Sequence, residues 1–287
     1  MNTKQSQAGN DSQCEVLTGP LPRPMQILNR FMNRYPLMAP IIDVFRREIA
    51  YCHGSPWPEW CFLPPDCFGM IAEQSLDETA DTKKIVTTMN ALGALGTWRM
   101  TKGIYQFEPS LLEELLANPM TGKMPANVFH RLPEWCVYVR TPGMDWFGEP
   151  LHGFWAHIVQ VLEPRLENLV FMLDKETELE SAGMDIGPWS IREGIIKSYA
   201  LSEERAGLHD DPDWETLTLT PAKLAKALAP LVSIVMHLCS EKLSVSDTRT
   251  PGRRPANPRP QKTADGFRVI PSDYPTMWQV RHDKFDT

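Results

Sequence analysis

Two strand-like segments separated by a turn constrain the fold of this chain more than any other sequence feature. Residues 132–140 and 151–162 are rich in β-branched and aromatic residues, which favour β-strands. The segment between them, residues 141–150, contains two prolines, two glycines and an aspartate, as is typical of a turn. We therefore predict two adjacent antiparallel strands.

The side chains of these two strands indicate a sheet that is buried on both faces. Successive side chains of a strand point to opposite faces, so Trp135, Val137 and Val139 share one face of the first strand. In the second strand, apolar side chains occur on both faces. A sheet with this pattern needs a covering layer on each side.

Helical periodicity and capping residues surround the predicted strands. Ser190 and Glu193 form a capping box, and Thr220 is an N-cap before a long helix that Pro230 kinks or splits. Predicted helices span residues 25–52 as a broken pair, 66–74, 81–101, 109–118, 190–205 and 220–243, and a third strand spans 165–173. The fold class that we predict is α+β, with N-terminal helices, a small antiparallel meander sheet flanked by helices, and a basic Pro-rich C-terminal arm.

We predict three regions along the chain. Residues 1–24 are polar at first and form a disordered tail, and residues 25–247 form the α+β core. The core consists of a helical part, 25–118, and a sheet-plus-helix part, 128–247. The basic Pro-rich arm spans residues 248–287.

The arm concentrates positive charge on a chain whose formal net charge is −7. Such a segment suits phosphates or an acidic surface, and the alternative is that it folds over the acidic loops of its own chain. It ends in a short strand, Thr276 to Arg281, which we expect to pair with the sheet edge. The residues that we predict to contact nucleic acid or the ribosome are Arg249, Arg253, Arg254, Arg259, Lys262 and Arg268.

A Trp–Arg–Tyr group follows the helix predicted at residues 81–101. Trp98, Arg99 and Tyr105 have the composition of a recognition hot spot. The alternative is that the tryptophan belongs to the core and the arginine caps the helix. Gly93 and Gly96 permit another backbone or a ligand to approach the same helix closely.

The sequence contains little that predicts catalysis or metal binding. It lacks a phosphate-binding Gly-rich loop, a nucleophile elbow and a His-Glu-x-x-His helix. Three candidate groups have simpler interpretations. The carboxylates of Asp174, Glu176, Glu178 and Glu180 are typical of a solvated charged loop, and the possible zinc ligands Cys52, His53, Cys61 and Cys67 are better explained as buried free thiols. Cys136 with His152 or His157 is an unproductive Cys–His pairing. We predict no catalytic residue, no metal site and no cofactor.

The charge balance and the distribution of apolar residues indicate where in the cell the protein acts. The mildly acidic balance argues against a protein that coats nucleic acid with its whole surface. The N-terminal residues do not follow a signal-peptide plan, and no apolar run reaches the roughly 20 residues that cross a bilayer. We expect a cytoplasmic protein that does not bind membranes and whose cysteines are reduced.

Three sequence blocks, together with a weaker fourth, resemble one known family. The blocks are Leu-Pro-Glu-Trp-Cys-Val-Tyr-Val from Leu132, His-Gly-Phe-Trp-Ala from His152, Gly-Thr-Trp-Arg-Met-Thr-Lys-Gly-Ile-Tyr-Gln-Phe from Gly96, and the sparser order from Thr248 to Val280. Together they cover roughly residues 90 to 281 and resemble the second of the type V-A anti-CRISPR families. These phage and mobile-element proteins oppose the type V-A CRISPR effector nuclease.

The resemblance implies a function and a partner. It implies suppression of effector production in the bacterial host cell, through recognition of the effector's nascent N-terminal peptide and loss of its mRNA, with the arm contacting that mRNA or the ribosome. The matching blocks carry over a peptide-binding site at Trp98, Arg99, Tyr105, Trp135, Tyr138 and Trp155. Two alternatives stay open: a metal-dependent nuclease acting on RNA, and a phage or plasmid adaptor protein unrelated to CRISPR.

Overall fold

The structure is a computed structural model of the chain. It describes residues 20–52, 57–76, 80, 82–125, 127–161, 166–206, 220–264 and 266–282. The predicted disordered tail therefore lies outside the described residues, except for its last five.

A mixed seven-stranded sheet crosses the described chain, with strand order β5-β4-β3-β2-β1-β9-β6. Its strands are β1 (Gly103–Phe107), β2 (Cys136–Trp146), β3 (Glu149–Val161), β4 (Leu166–Lys175), β5 (Leu179–Asp185), β6 (Ser244–Asp247) and β9 (Thr276–Arg281). Strands β2 to β5 are antiparallel neighbours, whereas β1 pairs parallel with both β2 and β9. A separate hairpin consists of β7 (Gln261–Thr263) and β8 (Gly266–Arg268).

Helices cover both faces of the sheet, which confirms the α+β class. They are α1 (Arg23–Arg34), α2 (Met38–Cys52), α3 (Pro65–Ser75), α4 (Thr82–Trp98), α5 (Pro109–Ala117), α6 (Ile191–Ala206) and α7 (Pro221–Leu238), with a 3-10 turn at Val128–Arg131. Helices α5, α6 and α7 pack on the face that bears Val137, Phe154 and Trp278. Helices α1 and α4 pack on the opposite face, which bears Tyr138 and Trp155.

The predicted size and direction of the sheet were wrong. A small antiparallel sheet was expected, but β1 and β9 enlarge it and introduce parallel pairing. The final strand was expected at the sheet edge, yet β9 lies between β1 and β6. Its alternation explains this position, because Trp278 and Val280 are buried against α7 while Gln279 and Arg281 point to the other face.

Local signals at two helix starts act as expected. The Ser190 hydroxyl accepts a hydrogen bond from the Glu193 N–H (3.3 Å), and the Glu193 carboxylate accepts one from the Ser190 N–H (2.8 Å). Thr220 accepts a hydrogen bond from the Lys223 N–H (3.4 Å) at the start of α7. The α7 helix continues through Pro230 without a break.

Among the described residues, α7 alone is long and apolar enough by length and composition to cross a membrane, and 44% of it is buried inside the structure. The core helix of a globular protein has the same composition. Leu228, Leu231 and Ile234 of α7 are completely buried in the cluster that joins this helix to the sheet.

Candidate functional site

The six residues predicted to bind a peptide lie inside the protein. Each of their side chains is at most 6% exposed. The rings of Trp98, Tyr138 and Trp155 form one cluster beneath α1 and α4, with centroids 4.7–6.2 Å apart. Tyr105 lies on the opposite face of the sheet, where its ring contacts Trp278. In this packing the six side chains lie beneath the protein surface and are not exposed to a binding partner.

Arg99 and Trp135 are tied to the N-terminal helices. Arg99 makes an ion pair with Asp43 and donates a hydrogen bond to the Ala39 carbonyl (3.3 Å). The Trp135 ring packs against Phe62 with ring centroids 5.0 Å apart, and the Arg46 guanidinium lies 5.1 Å from its centroid. These contacts attach α2 and the chain before α3 to the start of β2.

Close approach at the two α4 glycines involves neighbouring side chains. A Cβ atom at Gly93 would lie 3.2 Å from His157 Nε2, and one at Gly96 would lie 2.5 Å from Ile42 Cδ1. Side chains of β3 and α2 therefore fill the space beside these glycines, and the structure shows no space for a ligand at either described glycine.

The predicted solvated acidic loop is only partly solvated: Glu176 and Glu178 are exposed on the turn between β4 and β5, whereas Asp174 is buried at the end of β4 and Glu180 is half-buried in β5. Asp174 is completely buried and accepts hydrogen bonds from Arg23 Nε and the Tyr138 hydroxyl, both at 2.8 Å. Lys175 forms ion pairs with Glu149 (3.0 Å) and Glu180 (2.9 Å). Pairing satisfies these charges within β3, β4 and β5, and Arg23 attaches α1 to the sheet.

Cys61 and Cys67 are buried free thiols, as predicted. Cys61, Cys67, Cys136 and Cys239 have no disulfide partner, and burial raises the pKa of the Cys61 thiol to about 12. Among the described residues, no three His, Cys, Asp or Glu side chains converge as a metal site would require. Cys14 and His53 lie outside the described residues.

Cys136 and His157 are direct cross-strand partners of β2 and β3. Both are at most 3% exposed, and burial alone lowers the pKa of His157 to about 4. Burial also raises the pKa of Cys136 well above its ordinary value. A neutral imidazole and a protonated thiol enclosed in the core do not form an activated nucleophile.

Two surface depressions flank the sheet. The larger, which we call the sheet-face cleft, has a volume of about 1010 Å³ and is lined by Gln106, Ser246, Gln279, Arg281 and neighbouring residues. The smaller, which we call the α1–α4 cleft, has a volume of about 360 Å³, and Phe31, Tyr35, Ala91 and Leu179 are among its lining residues. Phe31 and Leu179 also pack on the buried cluster of Trp98, Tyr138 and Trp155.

All six cationic side chains of the predicted nucleic-acid contact are on exposed residues. Arg253 pairs with Asp247 (3.5 Å) and lies over the Trp278 ring, and Arg254 donates a hydrogen bond to the Leu243 carbonyl (3.4 Å). Asn257 accepts a hydrogen bond from the Trp135 N–H (2.6 Å). The first part of the arm is thus held on the sheet, with its cations facing solvent.

The sequence reasoning missed a row of polar side chains across four strands. Arg140, Gln106, Gln279 and Ser246 are successive partners on β2, β1, β9 and β6, since Tyr105 pairs with Val139 and the parallel register continues by one residue. Alternation within Ile-Tyr-Gln-Phe and Trp-Gln-Val-Arg was the available signal. Neither segment alone shows which strands are neighbours.

Comparison with known proteins gives two distant similarities and one family. The protein FinQ of Escherichia coli is 22% identical over 205 residues, which are 64% of this chain and 56% of FinQ. The chain therefore spans little more than half the length of that relative. The crystal structure of AcrVA2 has a TM-score of 0.65 and 18% identity, and the match covers 91% of this chain and 84% of that one. This second likeness concerns the fold.

The family match is the more specific finding. The model of the anti-CRISPR type V subtype A2 family, described as AcrVA2-like, matches residues 105–284, which is more than half of the chain. The matched segment contains the nine strands of the described residues, except for the start of β1, and it includes the sheet-face cleft and nearly all of the arm. This chain belongs to the anti-CRISPR type V subtype A2 family.

Proposed function

We propose that this protein suppresses production of the type V-A CRISPR effector nuclease in the cytoplasm of the bacterial host cell. It recognises the effector's nascent N-terminal peptide and promotes loss of the effector mRNA. The observation that carries this proposal is the family match over residues 105–284. The similarity of fold to AcrVA2 supports it.

The α1–α4 cleft is the place that we propose for the peptide. Its lining combines apolar and aromatic side chains with the hydroxyl groups of Thr87 and Thr88, as peptide-binding grooves do. Phe31 and Leu179 pack against the core cluster that contains Trp98, Tyr138 and Trp155. In this proposal the predicted residues form the base of the site, and the cleft residues contact the peptide.

The arm supplies the proposed contact with mRNA or the ribosome. Its exposed cations project from a segment that Arg253, Arg254 and Asn257 hold against the sheet. Cations held in place on a protein of net charge −7 form a local anion-binding surface despite the overall charge.

The test of the peptide site is calorimetry with a synthetic peptide of the effector's N-terminus. Thr87→Arg places a long side chain in the α1–α4 cleft and should weaken peptide affinity at least about tenfold, or about 1.4 kcal/mol. Gln74→Arg, on the exposed side of α3, is the matched control and should bind like the wild type. Trp98→Ala is unsuitable alone, because deleting a completely buried ring destabilises the fold.

Cells that express the effector provide the second measurement. The wild type should lower both effector mRNA and effector protein, whereas Thr87→Arg should lower neither. If the folded wild type does not bind the peptide, nascent-chain recognition is wrong. If effector protein falls while its mRNA stays constant, the mRNA-loss step is wrong.

A further inference from the structure

The polar row across β2, β1, β9 and β6 forms the floor of an open sheet face. Arg140 Nη1 donates a hydrogen bond to the Gln106 side chain (3.1 Å), and Gln279 and Ser246 continue the row. One row further on, Ser244 pairs with Arg281. The side chains of this floor are amides, hydroxyls and guanidinium groups.

The buried part of the same face ends directly beside this row. Ile104 and Tyr138 lie two residues before Gln106 and Arg140 on the same face and are cross-strand partners. Both are enclosed in the cluster beneath α1 and α4. Gln106 and Gln279 are only half-buried, and Arg140 and Arg281 are exposed. The helical cover therefore stops between the two rows, and the sheet-face cleft lies over the polar one.

The charges around the cleft favour an anionic ligand. Lys242, Arg254 and Arg281 line it, and Arg140 adjoins it through Gln106. Of the two lining carboxylates, Glu241 already pairs with Arg131 at 2.5 Å. The chain has a net charge of −7, but the local positive charge of this cleft is complementary to a polyanion.

We propose that this sheet face binds single-stranded RNA. The cations would hold phosphates, and the row of Gln106, Gln279 and Ser246 would hydrogen-bond to base edges and ribose, because side-chain amides both donate and accept. An acidic peptide is less favoured, since the side chains of the row are amide, hydroxyl and guanidinium groups, whereas a peptide added to a sheet is selected by pockets for its alternate side chains. The choice of RNA rests on the proposed function; the anion-binding geometry does not depend on it.

Arg254 connects this face to the arm, since it belongs to both. A strand that crosses the row can therefore continue along the exposed cations of the arm. In this arrangement the arm adds affinity through phosphates, while the row contacts the bases. The two surfaces should respond differently to substitution.

The test is fluorescence anisotropy of a labelled single-stranded 12-mer RNA of mixed sequence, titrated with the full chain at several salt concentrations. Gln279→Glu keeps the side-chain size and adds one negative charge to the row. It should weaken binding about tenfold. Gln74→Glu makes the same change at an exposed site on α3 and should leave the affinity unchanged.

Arg281→Ala tests the phosphate contact. It should reduce the slope of log affinity against log salt by about one, because one phosphate contact is lost. Arg192→Ala, at an exposed residue of α6, is its control and should leave the slope unchanged.

The proposal is overturned if Gln279→Glu binds RNA as Gln74→Glu does, which would leave the arm as the whole binding surface, or if the folded wild type does not bind the RNA. It is also overturned if an oligoglutamate peptide binds more tightly than the RNA with the same dependence on Gln279. None of these measurements uses the effector peptide. Their failure is therefore distinguishable from failure of nascent-chain recognition.

Discussion

The carboxyl group of Glu134 lies immediately before β2 and is 3% exposed. Thr101 donates a hydrogen bond to it at 3.1 Å, and a Cβ atom at Gly103 would lie 2.0 Å from its Oε2. Thr101, Trp278 and Tyr105 are neighbouring donors that lower its pKa. Of these, the Trp278 Nε1 and the Tyr105 hydroxyl make no hydrogen bond in the described structure. Burial outweighs these donors and raises the pKa of Glu134 to about 8.

Glu134→Gln should change how stability depends on pH. Between the ordinary pKa of 4.5 and about 8, the folded state keeps the Glu134 proton and the unfolded state releases it. The free energy of unfolding therefore falls as pH rises, by about 1 kcal/mol between pH 7 and pH 8. Urea unfolding at these two pH values should show this decrease in the wild type and lose it in Glu134→Gln.

The window from pH 7 to pH 8 separates Glu134 from two other buried groups. His157, with a pKa of about 4, and Asp185, with a pKa of about 6, change stability at lower pH. Glu73→Gln, at an exposed residue, should keep the wild-type pH dependence. Equal slopes for wild type and Glu134→Gln would show that the Glu134 carboxyl is already ionised at pH 7.

At the scale of single elements, the turn of the β2–β3 hairpin places a phenylalanine in the left-handed region. Phe147 and Gly148 form its two-residue loop and have φ angles of 53° and 86°. Two successive positive φ values correspond to a type I′ turn, in which Asn-Gly is preferred. Phe147 is 51% exposed, and its ring contacts Trp146 at a centroid distance of 5.0 Å.

Phe147→Asn should stabilise the protein by about 0.5–1 kcal/mol, because asparagine adopts the left-handed conformation at lower cost than phenylalanine. Thermal unfolding measures the effect as a higher Tm. Phe147→Val should lower Tm, since a β-branched residue fits this conformation poorly. A lower Tm for Phe147→Asn would mean that the ring contact with Trp146 contributes more than the turn geometry.

The strength of local signals explains which elements were predictable. Strands β2 and β3 are long and apolar, and α6 begins with a capping box, so each is visible within its own segment. The β1 strand has only five residues and β9 only six. Segments of this length carry too few residues for periodicity to reveal their direction or neighbours.

At the scale of the whole molecule, β9 joins β1, from the first half of the chain, to β6, which lies near the C-terminus. It pairs with β1 along five residues and with β6 along four. Trp278 and Val280 are at most 1% exposed and belong to the same core cluster as α5 and α7. The arm and its final strand are therefore part of the structural core at their C-terminal end.

Deletion of residues 276–287 should abolish cooperative folding. It removes the strand between β1 and β6 and the buried side chains of Trp278 and Val280 from the core, a loss that together costs several kcal/mol. Near-ultraviolet circular dichroism and urea unfolding measure the loss. Deletion of residues 283–287 leaves every described strand intact and should preserve both signals. Cooperative unfolding of the longer deletion would show that the sheet is stable without β9.

The sequence by itself determined the α+β class, the segments of β3, β4 and β9 and the first part of β2, the capped starts of α6 and α7, and the residue blocks that resemble the family. These features depend on side-chain periodicity, on capping chemistry and on short-range order. Each involves residues that are close together along the chain.

Only the tertiary structure decided the position of β9, the burial of Trp98, Tyr138 and Trp155, and the alignment of Gln106 with Gln279. The composition of an aromatic cluster is the same in a core and in a recognition site. Its exposure depends on which distant helix covers it. Likewise, the polar row exists only because parallel pairing brings together two strands separated by more than half of the chain.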